Sequence, residues 1–314
     1  MLFLLRAALL LLIVNELLLP ARAAEELPVD KLEIQAKIPH SGDFMGFGFD
    51  SLWMMSGAKM LRVNAKDNSE VLIKVPGAGG NYRGIAIGKD AIWVPDTASK
   101  TIYKLDPGSN SVTAKIPCDF YDSEGSIGVG YGSIWIVATG EKFQAILSRY
   151  NSVSGVLEAT IPLERGSISA WADYGSIWVT NNEKGRLYRI DPQKNSIADD
   201  IALHERPRFL TSAEGSIWVL NQSDGTVQRI DGKTGKLLAT IETEPGGRGG
   251  GDIAGGGGYV WVTLKGNYPV IQIDPRTNSV KRAFKGIGFG DAIRYGANSL
   301  WVSGSHIFRI KAPD

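Results

Sequence analysis

Seven tryptophans recur along the chain at nearly constant separation, each inside a short apolar core: Ser51-Leu52-Trp53-Met54, Ala91-Ile92-Trp93-Val94, Ser133-Ile134-Trp135-Ile136, Ser176-Ile177-Trp178-Val179, Ser216-Ile217-Trp218-Val219, Tyr259-Val260-Trp261-Val262 and Ser299-Leu300-Trp301-Val302. Successive tryptophans lie 40, 42, 43, 40, 43 and 40 residues apart. A unit of this length cannot bury its own hydrophobic face, so copies must stack on one another, and the period is that of a propeller blade. The eighth tryptophan, Trp171, falls outside the register.

Within each unit the pattern is that of four short strands. A small-residue segment precedes the core, as in Gly84-Ile85-Ala86-Ile87-Gly88 and Ser126-Ile127-Gly128-Val129-Gly130, and suits an inner strand where blades crowd a central axis. The Ile-Trp-Val core fits a strand buried on both faces. A third strand then ends in an Asp-containing turn, as in Tyr188-Arg189-Ile190-Asp191-Pro192 and Val227-Gln228-Arg229-Ile230-Asp231. That turn leads into a fourth strand such as Ser111 to Ile116. The last unit stops after its third strand, Ile307 to Ile310, and residues 32–39 supply the missing fourth one blade early. Such a strand closes the ring and removes two exposed edges. The expected fold is an all-β seven-bladed β-propeller, four antiparallel strands per blade, over residues 24–314. The recurring Trp belongs to its scaffold, because it is present in every blade whatever any one site requires.

Residues 1–23 differ in kind. Arg6 precedes an apolar run that ends in Ala21-Arg22-Ala23, the pattern of a signal peptide with a small-x-small cleavage site, and Asn15 and Glu16 interrupt the run that a retained anchor would need. Export is expected, to the periplasm or beyond, with no membrane span in the mature chain. Loss of Arg6, Arg22 and Glu16 takes the charge count from 34 basic and 33 acidic residues to 32 of each. A neutral domain lacks the positive field that drives nucleic-acid association, so a small molecule or a protein is the expected partner and a monomer the expected state. Cys118 is alone and cannot form an intrachain disulfide.

The strings Ile177-Trp178-Val179-Thr180-Asn181, Arg189 to Ile197 (RIDPQKNSI) and Arg229 to Ile241 (RIDGKTGKLLATI) resemble the YVTN-type propeller repeats of YncE-like exported proteins and the related streptogramin (virginiamycin B) lyase family. The resemblance covers all seven units and implies the propeller fold. The lyase relationship implies opening of a cyclic depsipeptide by elimination with a metal and a His base. In that family the cores continue into Trp-Phe-Thr-Glu. Here the position three residues after each Trp holds Ser56, Asp96, Ala138, Asn181, Asn221, Leu264 and Gly304, with no Glu among them.

Strand order places candidate chemistry on one face. If the inner strands run from top to bottom, the blade-to-blade loops lie on top, with His40 and His204, as does the loop between the second and third strands of the last blade, with His306. Ten residues before each blade Trp stand Asp43, Arg83, Gly125, Ile168, Arg208, Gly251 and Asp291, and Glu124 and Asp252 are their neighbours. Asp43, Asp252 and Asp291 could hold a divalent cation, Arg83 and Arg208 could clamp an anion, or the whole set could be hydrated and mutually paired. His40 and His306 flank the ring closure and could approach Asp43 or Asp291 as a general base or ligand. The glycine-rich Gly246 to Gly251 has no helix after it and is not a phosphate cradle. Two functions follow: a non-catalytic exported module binding a ligand or protein through its top face and channel, or a metal-dependent lyase or lactonase.

Overall fold

The computed structural model describes residues 24–57, 59–76, 84–119, 126–139, 144–243, 250–264, 267–287 and 289–314; residues 1–23, the expected signal peptide, lie outside the described residues. Seven sheets form a propeller, and in each the blade's own strands are antiparallel. The strands next to the axis are Met45–Gly48, Ala86–Ile87, Ile127–Gly130, Ser167–Asp173, Pro207–Ala213, Ile253–Gly256 and Phe289–Gly296, in blades 1 to 7. The ring closes as the sequence predicts. Ile34–Ile38 pairs antiparallel with Ile307–Lys311, Ile34 opposite Ile310 and Ile38 opposite Ile307. One strand has no counterpart in the repeat: Glu25–Pro28 lies parallel to Ser279–Lys285 and gives blade 6 a fifth strand. Ion pairs from Arg282 to Glu25 at 3.0 Å and from Lys285 to Glu26 at 3.5 Å hold it, and the Tyr268 hydroxyl donates to Glu26 at 2.6 Å. A four-residue charged segment carries no hydrophobic alternation, so its pairing follows from the outer edge of blade 6 and not from its own pattern.

The core is divided among the junctions. Seven clusters of buried side chains each combine residues of two neighbouring blades, and each contains the Trp of one blade packed with residues of the next, such as Trp53 with Ile92, Val94 and Leu105, or Trp301 with Leu52, Met54 and Val63. All seven indoles are 0–1% exposed. Burying one contributes about 4–6 kcal/mol before entropy is counted. The repeat therefore stacks because its largest side chain is completed only by the following copy.

The same junctions explain the Arg-Ile-Asp-Pro-x-x-Asn string. Arg62, Arg149, Arg189, Arg229 and Arg309 lie 4.9–5.6 Å over the Trp ring of their own blade. In each, Nε donates to the Ser that opens the core strand. Arg62, Arg149 and Arg229 then reach across the junction: Nη1 donates to the carbonyl of Pro107, Pro192 or Pro275 and to the side-chain oxygen of Asn110, Asn195 or Asn278 in the next blade's turn. Those asparagines sit at φ of 52–54°, a left-handed conformation that Asn tolerates better than most residues. Arg309 of blade 7 bonds Asn68 of blade 1 at 2.9 Å, so the ring closes through the same contact. Blade 5 has Asp231-Gly232 and no Asn in its turn, and the Arg189 before it turns back to Asp199 of its own blade at 3.1 Å.

Cys118 is buried beside Tyr150, and burial pushes its thiol up to about 11. It should resist iodoacetamide at pH 8 in the native protein and react after denaturation, as mass spectrometry can read. Replacing Arg309 with Ala should lower stability by about 1–3 kcal/mol in urea unfolding. A double-mutant cycle with Asn68→Ala should return a favourable coupling, because the two side chains meet only across the last junction.

Candidate functional site

Inner strands line the axis, and their register with the tryptophan strands defines one layer of the channel. Opposite the seven blade tryptophans stand Gly46, Ala86, Gly128, Trp171, Thr211, Ala254 and Arg294. All seven residues line an axial cavity of about 420 Å³. Small residues dominate the layer because the inner strands approach closely: a Cβ on Gly46 would lie 2.8 Å from Ile87 of the next blade. Trp171 and Arg294 break the pattern, three blades apart around the ring. Trp171 is 36% exposed, unlike every blade tryptophan, and its indole N–H donates to Ser212 Oγ at 3.2 Å.

Above the channel is a second cavity of about 300 Å³, the mouth, to which Asp43, Arg208, Gly251, Asp252 and Asp291 all contribute. The register ten residues before the Trp thus gathers Asp43, Arg208, Gly251 and Asp291 of blades 1, 5, 6 and 7 at one place, with Asp252 beside Gly251. Arg83 and Glu124, predicted for the same rim, lie outside the described residues. The mouth also contains residues that the spacing did not single out: Arg206, Phe209, Gln222 and Arg294. Arg206 stands at φ 56° in the connection between blades 4 and 5, the one left-handed non-glycine residue in a blade-to-blade loop among the described residues. Mouth and channel share Met45, Ile85, Phe209, Asp252 and Arg294, so they form one continuous space.

Asp252 is fixed in place. Its N–H donates to Thr263 Oγ1 at 2.9 Å, one carboxylate oxygen accepts from the N–H of Ile253, and the other accepts from the N–H of Ile293 and from Arg294 Nη1. Arg294 Nε donates in turn to the carbonyl of Met45 at 2.7 Å. One ion pair of blades 6 and 7 is thereby tied to blade 1 at the closure of the ring. With both oxygens committed, Asp252 is a strut of the mouth wall and a poor metal ligand.

The histidines do not meet there. His40 contacts Ser56 Oγ at 3.2 Å and Glu70 at 2.9 Å, and His306 contacts Ser305 Oγ at 3.2 Å. His204 contacts Asp224 at 2.9 Å. None lines either cavity. Burial pushes the Asp224 carboxyl up, but hydrogen bonds from Thr226 and His204 outweigh it and hold the group below its ordinary value. The expected approach of His40 and His306 to Asp43 or Asp291 therefore gives way to pairing within their own blades or loops, since a loop residue beside the axis can still direct its side chain outward. Among the described residues no group of three or more His, Cys, Asp or Glu side chains could hold a metal ion. Among the described residues the donor set does not fit the metal that the lyase resemblance implies. Three residues after the Trp, Asp96, Asn181 and Asn221 are fully buried. Asp96 and Asn181 accept backbone N–H groups of the turns that follow them, and Asn221 donates to Thr226 and Gln228.

No protein-family description matches the chain, and no curated protein matches it in sequence. Solved structures do. A streptogramin B lyase superposes with a TM-score of 0.74 at 18% identity, over 88% of this chain and 96% of that one. The virginiamycin B lyase of Staphylococcus aureus gives 0.72 at 16%, over 90% and 98%. The hydrazine synthase of Kuenenia stuttgartiensis gives 0.71 at 12%, over 89% and 97%. At these identities the likeness is one of fold. The fold shared with them is the one that the repeat strings predict.

Because seven of the eight indoles are sealed between blades, acrylamide should quench only the emission that Trp171 contributes. Trp171→Phe should abolish most of the quenchable component and leave the remainder unchanged, as Stern–Volmer plots of the two proteins would show.

Proposed function

We propose that this chain is an exported binding module whose mouth, at the top of the propeller axis, takes a small polar ligand. The observation that carries the reading is the mouth itself: a cavity of about 300 Å³ lined by carboxylates of Asp43 and Asp291 and guanidiniums of Arg206 and Arg208, drawn from blades 1, 5 and 7 and from the loop before blade 5. None of these residues belongs to the Trp–Arg contacts at the blade junctions. Convergent charges of both signs in a concave, partly apolar pocket are the pattern of a small-molecule site. The signal-peptide pattern of residues 1–23 supports delivery to the periplasm or the outside of the cell.

A metal-dependent lyase or lactonase has less support. The likeness to streptogramin lyases is one of scaffold, and a shared scaffold hosts many chemistries. Asp252 is bonded to Arg294, and the histidines that would act as base lie away from the mouth.

Thermal-shift measurements on the mature chain separate the two readings. Small zwitterions such as amino acids and dipeptides should raise Tm, since a ligand at a hundred times its Kd stabilises the native state by about 2.7 kcal/mol. The rise should shrink in Arg208→Ala and Asp291→Ala when each is compared with its own unliganded protein. Calcium, magnesium, manganese and zinc should give no comparable rise. A rise with one of these ions that Asp43→Ala and Asp291→Ala both abolish would replace the binding reading with the metal-dependent one.

A further inference from the structure

We infer that the channel below the mouth is the aromatic half of the same site, and that the ligand is a small zwitterion bearing a planar aromatic ring, of the class of the aromatic amino acids. The inference rests on the mouth being a small-molecule site and adds what the molecule must look like.

Trp171 is the first observation. At its level of the channel five of seven blades use Gly, Ala or Thr, so an indole there serves no repeated packing need. The fold buries its other seven tryptophans to 1% exposure or less and leaves this one 36% exposed inside a cavity. Its only polar atom is already bonded to Ser212, so the surface it still offers is the apolar ring. Such a surface is best covered by another flat ring, stacked or edge-on.

Charge is the second. Within the channel the charged side chains among the described residues are Asp252 and Arg294, and they are paired with each other. An uncharged ring enters this space without leaving an ion unmatched. In the mouth the additional charged residues, among those described, are Asp43 and Asp291 and Arg206 and Arg208. Both signs of charge line the mouth, which suits an ammonium and a carboxylate on one small head group. Phe209 lines both cavities and joins the polar and apolar halves.

Calorimetry on the mature chain tests this with three probes: L-tryptophan, glycine as a head without a ring, and indole as a ring without a head. L-Tryptophan should bind, and more tightly than either fragment. Trp171→Ala should weaken it about tenfold or more, the effect of losing one stacked ring, while Trp171→Phe should keep most of the affinity. Near-UV circular dichroism checks that the variants keep the parent fold. A second readout uses L-phenylalanine, which should protect the acrylamide-quenchable emission of the parent. Equal affinity of parent and Trp171→Ala for L-tryptophan overturns the aromatic inference. If that binding is still lost in Arg208→Ala, the mouth reading survives alone. Absence of binding by L-tryptophan, glycine and indole alike at millimolar concentration overturns the inference, and the wider zwitterion series then decides the mouth reading separately.

Discussion

The structure depends on one contact repeated seven times: a Trp that its own blade cannot bury and that the next blade covers. A four-stranded sheet of about forty residues has too little apolar surface to be stable by itself. Placing the largest side chain at the junction makes each blade's burial conditional on its neighbour. The guanidinium over the ring gives the contact direction, because its Nη1 meets the following blade's turn only when that blade is correctly seated, as Arg62, Arg149 and Arg229 do. A ring built this way has no stable open state at one junction. The N-terminal strand completes blade 7, and the Arg309–Asn68 bond gives the last junction the same kind of contact as those made by Arg62, Arg149 and Arg229.

Closure of the ring creates the site. Seven inner strands converge on an axis, and close approach forces small residues at most positions of the channel wall. Departures from smallness are then conspicuous, and they fall into two kinds. Arg294 and Asp252 are wall and strut together: a largely desolvated ion pair that also ties blades 6 and 7 to the backbone of blade 1. Removing one partner would leave the other charge poorly solvated, which costs more than the pair itself contributes. Trp171 and the rim residues Asp43, Arg206, Arg208 and Asp291 take no part in the Trp–Arg contacts and line the two cavities instead.

The identity of neighbouring structures illustrates how little of this the scaffold constrains. A streptogramin lyase and a hydrazine synthase superpose on the chain at 18% and 12% identity. What such proteins share with this chain is the fold. In this chain the positions three residues after the Trp include buried Asp96, Asn181 and Asn221, bonded within their own blades, so the same strand end that could present a carboxylate upward is used internally.

The blade count, the four-strand unit, the closing strand and the meeting of Asp43, Arg208 and Asp291 were all legible in the sequence. The physical reason is symmetry: in a closed ring of equal repeats, the same offset from the Trp maps to the same height at the axis, even for residues almost the whole chain apart. Side-chain direction is not carried by that rule. His40, His204 and His306 occupy the loops that the repeat assigns them, yet local partners such as Glu70 and Asp224 draw His40 and His204 away from the mouth, and none of the three reaches it. Trp171 and Arg294 were visible as letters, but only the strand register and the packing of adjacent blades decided that one would stand open in the channel and the other would bind Asp252. The fifth strand of blade 6 was likewise decided in three dimensions, by an available edge and the ion pairs along it. Period determines where a backbone goes; the faces it turns to its neighbours are settled when those neighbours arrive.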